Sequence, residues 1–242
     1  MRLDRWLVTL GEGSRSQVQK IIKSGAVQVG GQTVRDPAQS FTGDEPLTLR
    51  GVPLDGRLTR HVMLHKPAGL LTAARDARQP TVMELLPSAY TAIGCMPVGR
   101  LDKDTTGLLL LTTDGELNHR LLAPGRHVDK TYRAAVDGPL TDADIAAFAA
   151  GLHLSDFDAQ PAVLDILSSG AEASVALVTV HEGKFHQIKR MFEAVERQVT
   201  ALHRLTFGSL ALDEALAPGQ WRELTAAELA ALYRDAQMKE PL

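Results

Sequence analysis

The chain has 242 residues, 44% hydrophobic and 23% charged, with a formal net charge of −3. These are proportions of a folded chain with a sizeable core, not of a disordered or fibrous one. Its apolar runs are far too short to cross a bilayer. The charged opening MRLDRWL lacks the apolar core of an export signal, and the lone Cys95 excludes an internal disulfide or a cysteine-built metal cage. A reducing cytoplasm is the expected compartment. Residues 1–60 carry nine Lys and Arg against six Asp and Glu, a net of +3, while the remainder carries 17 against 23, a net of −6. A basic head on an acidic body is the asymmetry that would meet a polyanion at the N-terminus.

Arg2 to Leu10 predicts a short helix ended by the Gly11-Glu12-Gly13 turn. Ser14 and Gln17 form an S-x-x-Q capping box that opens a second helix, closed by Gly25. Val18, Ile21 and Ile22 make its apolar stripe, while Gln19, Lys20 and Lys23 face away. AVQVGGQTV then predicts two short strands joined by a Gly-Gly hairpin turn. The order helix, basic helix, hairpin resembles the S4 RNA-binding module across nearly all of residues 1–50. Arg5, Arg15, Lys20 and Lys23 are the expected RNA contacts of this head, although a solvated helix face has the same pattern.

GVPLDGRLTR, up to Arg60, has neither helical nor strand periodicity and reads as a linker. The expected division is a head over residues 1–58 and a second domain over 59–242. In the latter, strands are expected at 62–64, 108–112, 131–136, 163–167 and 174–180. Helices are expected at 142–150, at 186–195, and at 226–233 behind a Thr225/Glu228 capping box. No βαβ rhythm links them, so the fold class is α+β on a largely antiparallel sheet.

GRLDKDTTGLLLL places two carboxylates and two cations directly before a fully apolar strand. Asp102 and Asp104 fit an ordinary turn, a D-x-D metal pair with Lys103 as an awkward neighbour, or a single working carboxylate beside Arg100. In HEGKFHQIKRMFEAV, Ile188, Met191, Phe192 and Val195 define a buried helix face. Lys189 lies about 100° from Ile188. It therefore either reaches into a cleft or snorkels along the core edge, while Arg190 points the other way, to solvent or a phosphate. Tyr132 in DKTYRAAV suits core packing as well as chemistry. The Lys66-Pro67-x-Gly69 loop in HKPAGLLT holds backbone near a ligand or simply turns. His186 and His203 lack metal-like spacing and read as hydrogen-bonding residues.

HKPAGLL, GRLDKDTTGLLLLTTDGELNHRL, DKTY and EGKFHQIKRMF occur in the order and spacing of pseudouridine synthases of the RsuA type. The resemblance runs from the S4-like head to LTAAEL near the C-terminus. It implies an S4 domain followed by a synthase domain with a bent, mixed, mainly antiparallel sheet flanked by helices. It also implies Asp102 as the catalytic carboxylate, Tyr132 packed on the target base and Lys189 paired with Asp102, with no metal or organic cofactor. Arg100, Lys66 and Arg190 join the head cations as expected RNA contacts. Gly183-Lys184-Phe185 replaces a more usual Gly-Arg-Tyr and leaves the catalytic set intact. HQIKRMFEAV followed by LHR is most similar to the small-subunit enzymes. The expected partner is therefore 16S ribosomal RNA or the assembling small subunit, met by a monomer. A large-subunit synthase, a non-catalytic assembly factor and a metal-dependent nuclease are the rivals.

Overall fold

The computed structural model describes residues 1–239. Contacts divide it into two compact units, Met1–Arg60 with Leu86–Met96, and His61–Leu85 with Pro97 onward.

The first unit holds α1 (Leu3–Thr9), α2 (Arg15–Lys23), β1 (Val27–Val29), β2 (Gln32–Val34), β3 (Leu47–Leu49), β4 (Val52–Leu54) and α3 (Ser88–Ala92). Its four strands form an antiparallel sheet in the order β2-β1-β3-β4. The Ser14/Gln17 capping box forms with both of its hydrogen bonds. Val18 and Ile22 are fully buried with Leu3, Leu7, Val27 and Phe41, while Lys20 and Lys23 are exposed, as the helical period requires. Asp4, 1% exposed, accepts from the Arg2 guanidinium, the Arg5 amide and Gln19, and the Arg2 hydrogen bond holds its carboxyl well below the usual range.

The expected linker is corrected here. Arg50 and Gly51, with φ of 53° and 79°, make a two-residue turn that pairs β3 with β4. Pro53 misleads a sequence reading because it cannot donate to a ladder, and it is tolerated because β4 is the sheet's edge. Gly56 is likewise engaged, accepting from Trp6 Nε1 at 2.6 Å.

Next along the chain are β5 (His61–Lys66), β6 (Met96–Pro97), β7 (Thr106–Thr112), α4 (Gly115–Leu122), β8 (Lys130–Asp137) and α5 (Asp142–Ala150). They are followed by β9 (Leu152–His153), β10 (Asp158–Ala159), β11 (Val163–Ser169), β12 (Ala173–Val180), α6 (Gln187–Ala194), β13 (Val199–Phe207), β14 (Leu210–Ala211), β15 (Trp221–Glu223) and α7 (Ala226–Asp235). The main run of the large sheet is β11-β12-β8-β13-β7-β5-β15. Its neighbours are antiparallel except at one seam, where β13 runs parallel to β7 through His203↔Thr106 and Arg204↔Gly107.

Gly107 is required at that seam. Its φ is +104°, and a Cβ there would lie 2.2 Å from the Arg204 carbonyl oxygen. Leu108 to Leu111 are all fully buried, as expected of an interior strand covered on both faces. Leu108 and Leu110 pack with Leu117 and Leu121 of α4 and Leu232 and Tyr233 of α7. Elsewhere Phe192 of α6 meets Phe148 of α5 at a ring separation of 5.0 Å.

Candidate active site

The loop before β7 is held from beneath by the HKPAGLLT segment. Lys66, at the end of β5, is fully buried. Its Nζ donates to the carbonyls of Thr105 at 2.9 Å, Asp102 and Pro67 at 3.1 Å and Lys103 at 3.2 Å. The Gly69 amide donates to the Lys103 carbonyl at 2.8 Å, and the Thr72 hydroxyl to that of Leu101 at 2.8 Å. Together with the Thr105 amide, which donates to the Asp102 carbonyl at 3.1 Å, these bonds fix the backbone around Asp102. Burial pulls the Lys66 ammonium down to about 8, against the opposing pull of Asp104 and Asp102. The expectation that Lys66 contacts RNA is therefore corrected: a side chain with no exposed surface cannot meet a phosphate, and its charge is spent on carbonyl dipoles.

Asp102 is presented above that mount, 26% exposed. Its Oδ2 lies 3.5 Å from Lys189 Nζ and its Oδ1 lies 3.5 Å from His186 Nε2. Lys189 is closer to Asp104, donating to both oxygens at 2.7 and 2.8 Å, and this bond holds the Asp104 carboxyl below its ordinary value. Lys189 thus stands by Asp102, as expected, and is shared with a second carboxylate, Asp104. Among the described residues no group of three or more His, Cys, Asp or Glu is placed to hold a metal, and no helix is long and apolar enough to cross a membrane.

The cleft over Asp102 has Tyr132, Leu101, Val180 and Leu202 among its apolar lining, and Arg100, Lys184 and Lys189 as its cations. Tyr132 sits on β8, 8% exposed, opposite Val178 and Arg204. Arg204, 2% exposed, donates through Nε to the Leu108 carbonyl at 2.7 Å and stands 6.0 Å from the Tyr132 ring centre. Its buried Nη2 has no protein partner. At the start of α6, Gln187 donates to Glu182 at 3.0 Å and accepts from the Lys184 amide at 3.1 Å, so the loop 182–186 is tied to the helix that carries Lys189.

The structure brings Asp102, Tyr132, Lys189 and Arg100 to one cleft. Arg190 stands apart: it pairs with Asp156, donates to Ser155 at 3.1 Å and lies 4.9 Å over the Phe157 ring. The expectation that it is free for solvent or phosphate is corrected, because the β9–β10 connection folds over it. Arg5, Arg15, Lys20 and Lys23 are exposed in the first unit, with Arg15 at 3.9 Å from Asp4. Sequence reasoning missed Arg204 and the proximity of His186 to Asp102. The isolated Arg in an apolar LHRLTF strand was the available signal for the first, and nothing marked the second.

The model of the RNA pseudouridylate synthase family matches residues 60–194, and that of the S4 domain residues 1–45. An uncharacterized RNA pseudouridine synthase of Bacillus subtilis is 42% identical over 95% of this chain and 97% of its own length. A ribosomal small subunit pseudouridine synthase A of Pseudomonas aeruginosa is 42% identical over 95% and 99%. One of the same description from Escherichia coli K12 is 36% identical over 96% and 100%. A solved pseudouridylate synthase superposes with a TM-score of 0.67 at 33% identity, covering 96% of this chain and 99% of that one.

Proposed function

This chain belongs to the RNA pseudouridylate synthase family, and on that premise we propose that it isomerises one uridine of 16S ribosomal RNA through Asp102. What carries the proposal is the placement of Asp102. It is the carboxylate whose backbone Lys66 clamps, and its two oxygens face Lys189 and His186 at 3.5 Å beneath a cleft lined by Tyr132.

The reaction breaks the N1–C1′ bond, turns the freed base and joins C5 to C1′. A proton leaves C5 and one is taken up at N1. A carboxylate suits this because it can engage an electron-poor sugar carbon, as carboxylates do in glycoside chemistry. Lys189 Nζ stands 3.5 Å from its Oδ2, where it can orient the carboxylate towards the sugar. Extruding the target costs a few kcal/mol, and stacking on Tyr132 returns roughly 1–3 kcal/mol. Arg100, exposed at the cleft, meets the phosphate backbone of the flipped nucleotide. The cations of residues 1–58 supply general RNA affinity while residues 59–242 supply the chemistry. The proposed enzyme acts as a monomer in the cytoplasm, where ribosomal RNA is made. The small-subunit target is supported by the near full-length relatives from P. aeruginosa and E. coli.

Tritium release from [5-³H]uridine-labelled 16S and 23S transcripts tests the reading, since only isomerisation at C5 frees that hydrogen. Release from 16S, with one pseudouridine on mapping, is expected. Release from 23S alone reassigns the target, and release from neither, with the 16S RNA also offered in a particle with small-subunit proteins, rejects the isomerase.

A further inference from the structure

Phe185 is the most exposed large hydrophobic residue among those described, at 69%. One face of its ring lies on the His186 imidazole, 3.8 Å between centres and 17° from coplanar. Most of the side chain that remains is open to solvent. A single exposed apolar side chain is ordinary, but two features separate this one. Its stacking partner His186 is 3.5 Å from Asp102 through Nε2, so the open ring stands at the rim of the carboxylate cleft. The backbone beneath is also fixed. His186 adopts the left-handed conformation, φ 51° and ψ 28°, an uncommon one for a residue with a Cβ. Arg190 donates to the Phe185 carbonyl at 3.5 Å, and the Gln187 amide donates to that of Lys184 at 3.2 Å. A flexible, accidental exposure would not be held in this way.

We propose that Phe185, backed by His186, is a stacking step for an unpaired base adjacent to the target uridine, a subsite separate from the Tyr132 pocket. The inference rests on the isomerase reading above. A uridine that leaves its stack strands the neighbouring base, and a flat aromatic face at the rim is the surface that recaptures it. Lys184 and Arg100 line the same cleft, supplying cations for the intervening phosphates. Stacking is tolerant of base identity but favours the larger purine face, so the subsite biases the enzyme towards a purine neighbour.

The test places 2-aminopurine on the 5′ or the 3′ side of the mapped uridine in a 16S fragment, and measures fluorescence on binding together with steady-state kinetics. With the wild-type protein, one of the two positions is quenched on binding. Phe185→Ala should lose that quench and raise KM about tenfold while kcat changes less than about twofold; Phe185→Trp should restore both. An equal quench and KM in Phe185→Ala overturn the proposal. So does a fall in kcat at unchanged KM, which would mean that the ring only positions His186. The fluorescence is read on binding alone and needs no turnover. Failure of the stacking step is therefore distinguishable from failure of the isomerase reading, which wild-type tritium release tests.

Discussion

Lys189 Nζ stands 2.7 Å from Asp104 Oδ1, closer than to either oxygen of Asp102. Asp104 is 73% exposed, and a pair with one partner so open to water contributes about 0–1 kcal/mol. Asp104 therefore orients the lysine more than it neutralises it. Asp104→Asn is expected to lower kcat by less than about fivefold, with Lys189 relaxing onto Asp102. A loss as large as that of an Asp102 variant would make the two carboxylates a functional pair and call the single-carboxylate chemistry into question.

Lys189 itself is expected to matter far more. Lys189→Met keeps the aliphatic stem and removes the charge that faces Asp102, so kcat should fall about a hundredfold with little change in thermal midpoint. Lys189→Arg should retain more activity because charge survives although geometry changes. Normal turnover in Lys189→Met would return the side chain to an edge-of-core packing role.

The loop clamp makes a prediction in stability as well as rate. Lys66→Met removes the ammonium from the Thr105 and Pro67 carbonyls and loosens those of Asp102 and Lys103, which keep the Thr105 and Gly69 amides; this should cost about 1–3 kcal/mol in urea unfolding and lower kcat by misplacing Asp102. The pH dependence follows from burial, which lowers the folded ammonium to about 8 from an ordinary 10.5. Between those values the unfolded chain binds the proton and the folded one does not. Wild-type stability should therefore gain a rising contribution from pH 8 towards 10.5. Lys130, also pulled down to about 8 by burial, adds to the same window. The slope in Lys66→Met should thus shrink without vanishing, and an unchanged slope would contradict a buried ammonium at this position.

These residues show which parts of the site were legible. For Asp102, Tyr132 and Lys189 the residues alone leave a turn, core packing and an edge-of-core lysine open; the family resemblance singled them out, and the fold brings all three to one cleft. The interior strand β7 follows from an unbroken apolar run, α6 from its apolar period and α7 from its capping box. Lys66 was misread because a lysine in a Lys-Pro-x-Gly loop carries no mark of burial. Only the folded arrangement of loop carbonyls 102, 103 and 105 shows what its charge serves. α4 was missed because Asp114-Gly115 also spells a turn, although Asp114 caps the helix by accepting from the Leu117 amide at 2.9 Å. β13 was missed because its burial does not alternate, interrupted by register shifts between Val199 and Ala201 and between Arg204 and Thr206.

The head makes a separable prediction. Lys20→Ala with Lys23→Ala removes two exposed cations of α2. RNA affinity should fall and its logarithmic salt slope should drop by about one to two, while turnover at saturating RNA is kept. An unchanged salt slope would show that these lysines make no phosphate contacts.

Gly107 tests the seam between β7 and β13. Gly107→Ala forces a Cβ to within 2.2 Å of the Arg204 carbonyl at a φ of +104°. The variant should lose at least about 3 kcal/mol in urea unfolding, and a wild-type midpoint would contradict the close approach of the two strands.

The central claim is that Asp102 does the chemistry and is not needed for the fold or for RNA affinity. The most direct measurement is tritium release by Asp102→Asn from [5-³H]uridine-labelled 16S RNA under single-turnover conditions, with binding of the same RNA measured in parallel. Binding within about twofold of wild type and release at the uncatalysed level are expected, because the amide fits the Lys66-clamped loop but is neither nucleophile nor base. Release at a substantial fraction of the wild-type rate, with binding intact, would contradict the account.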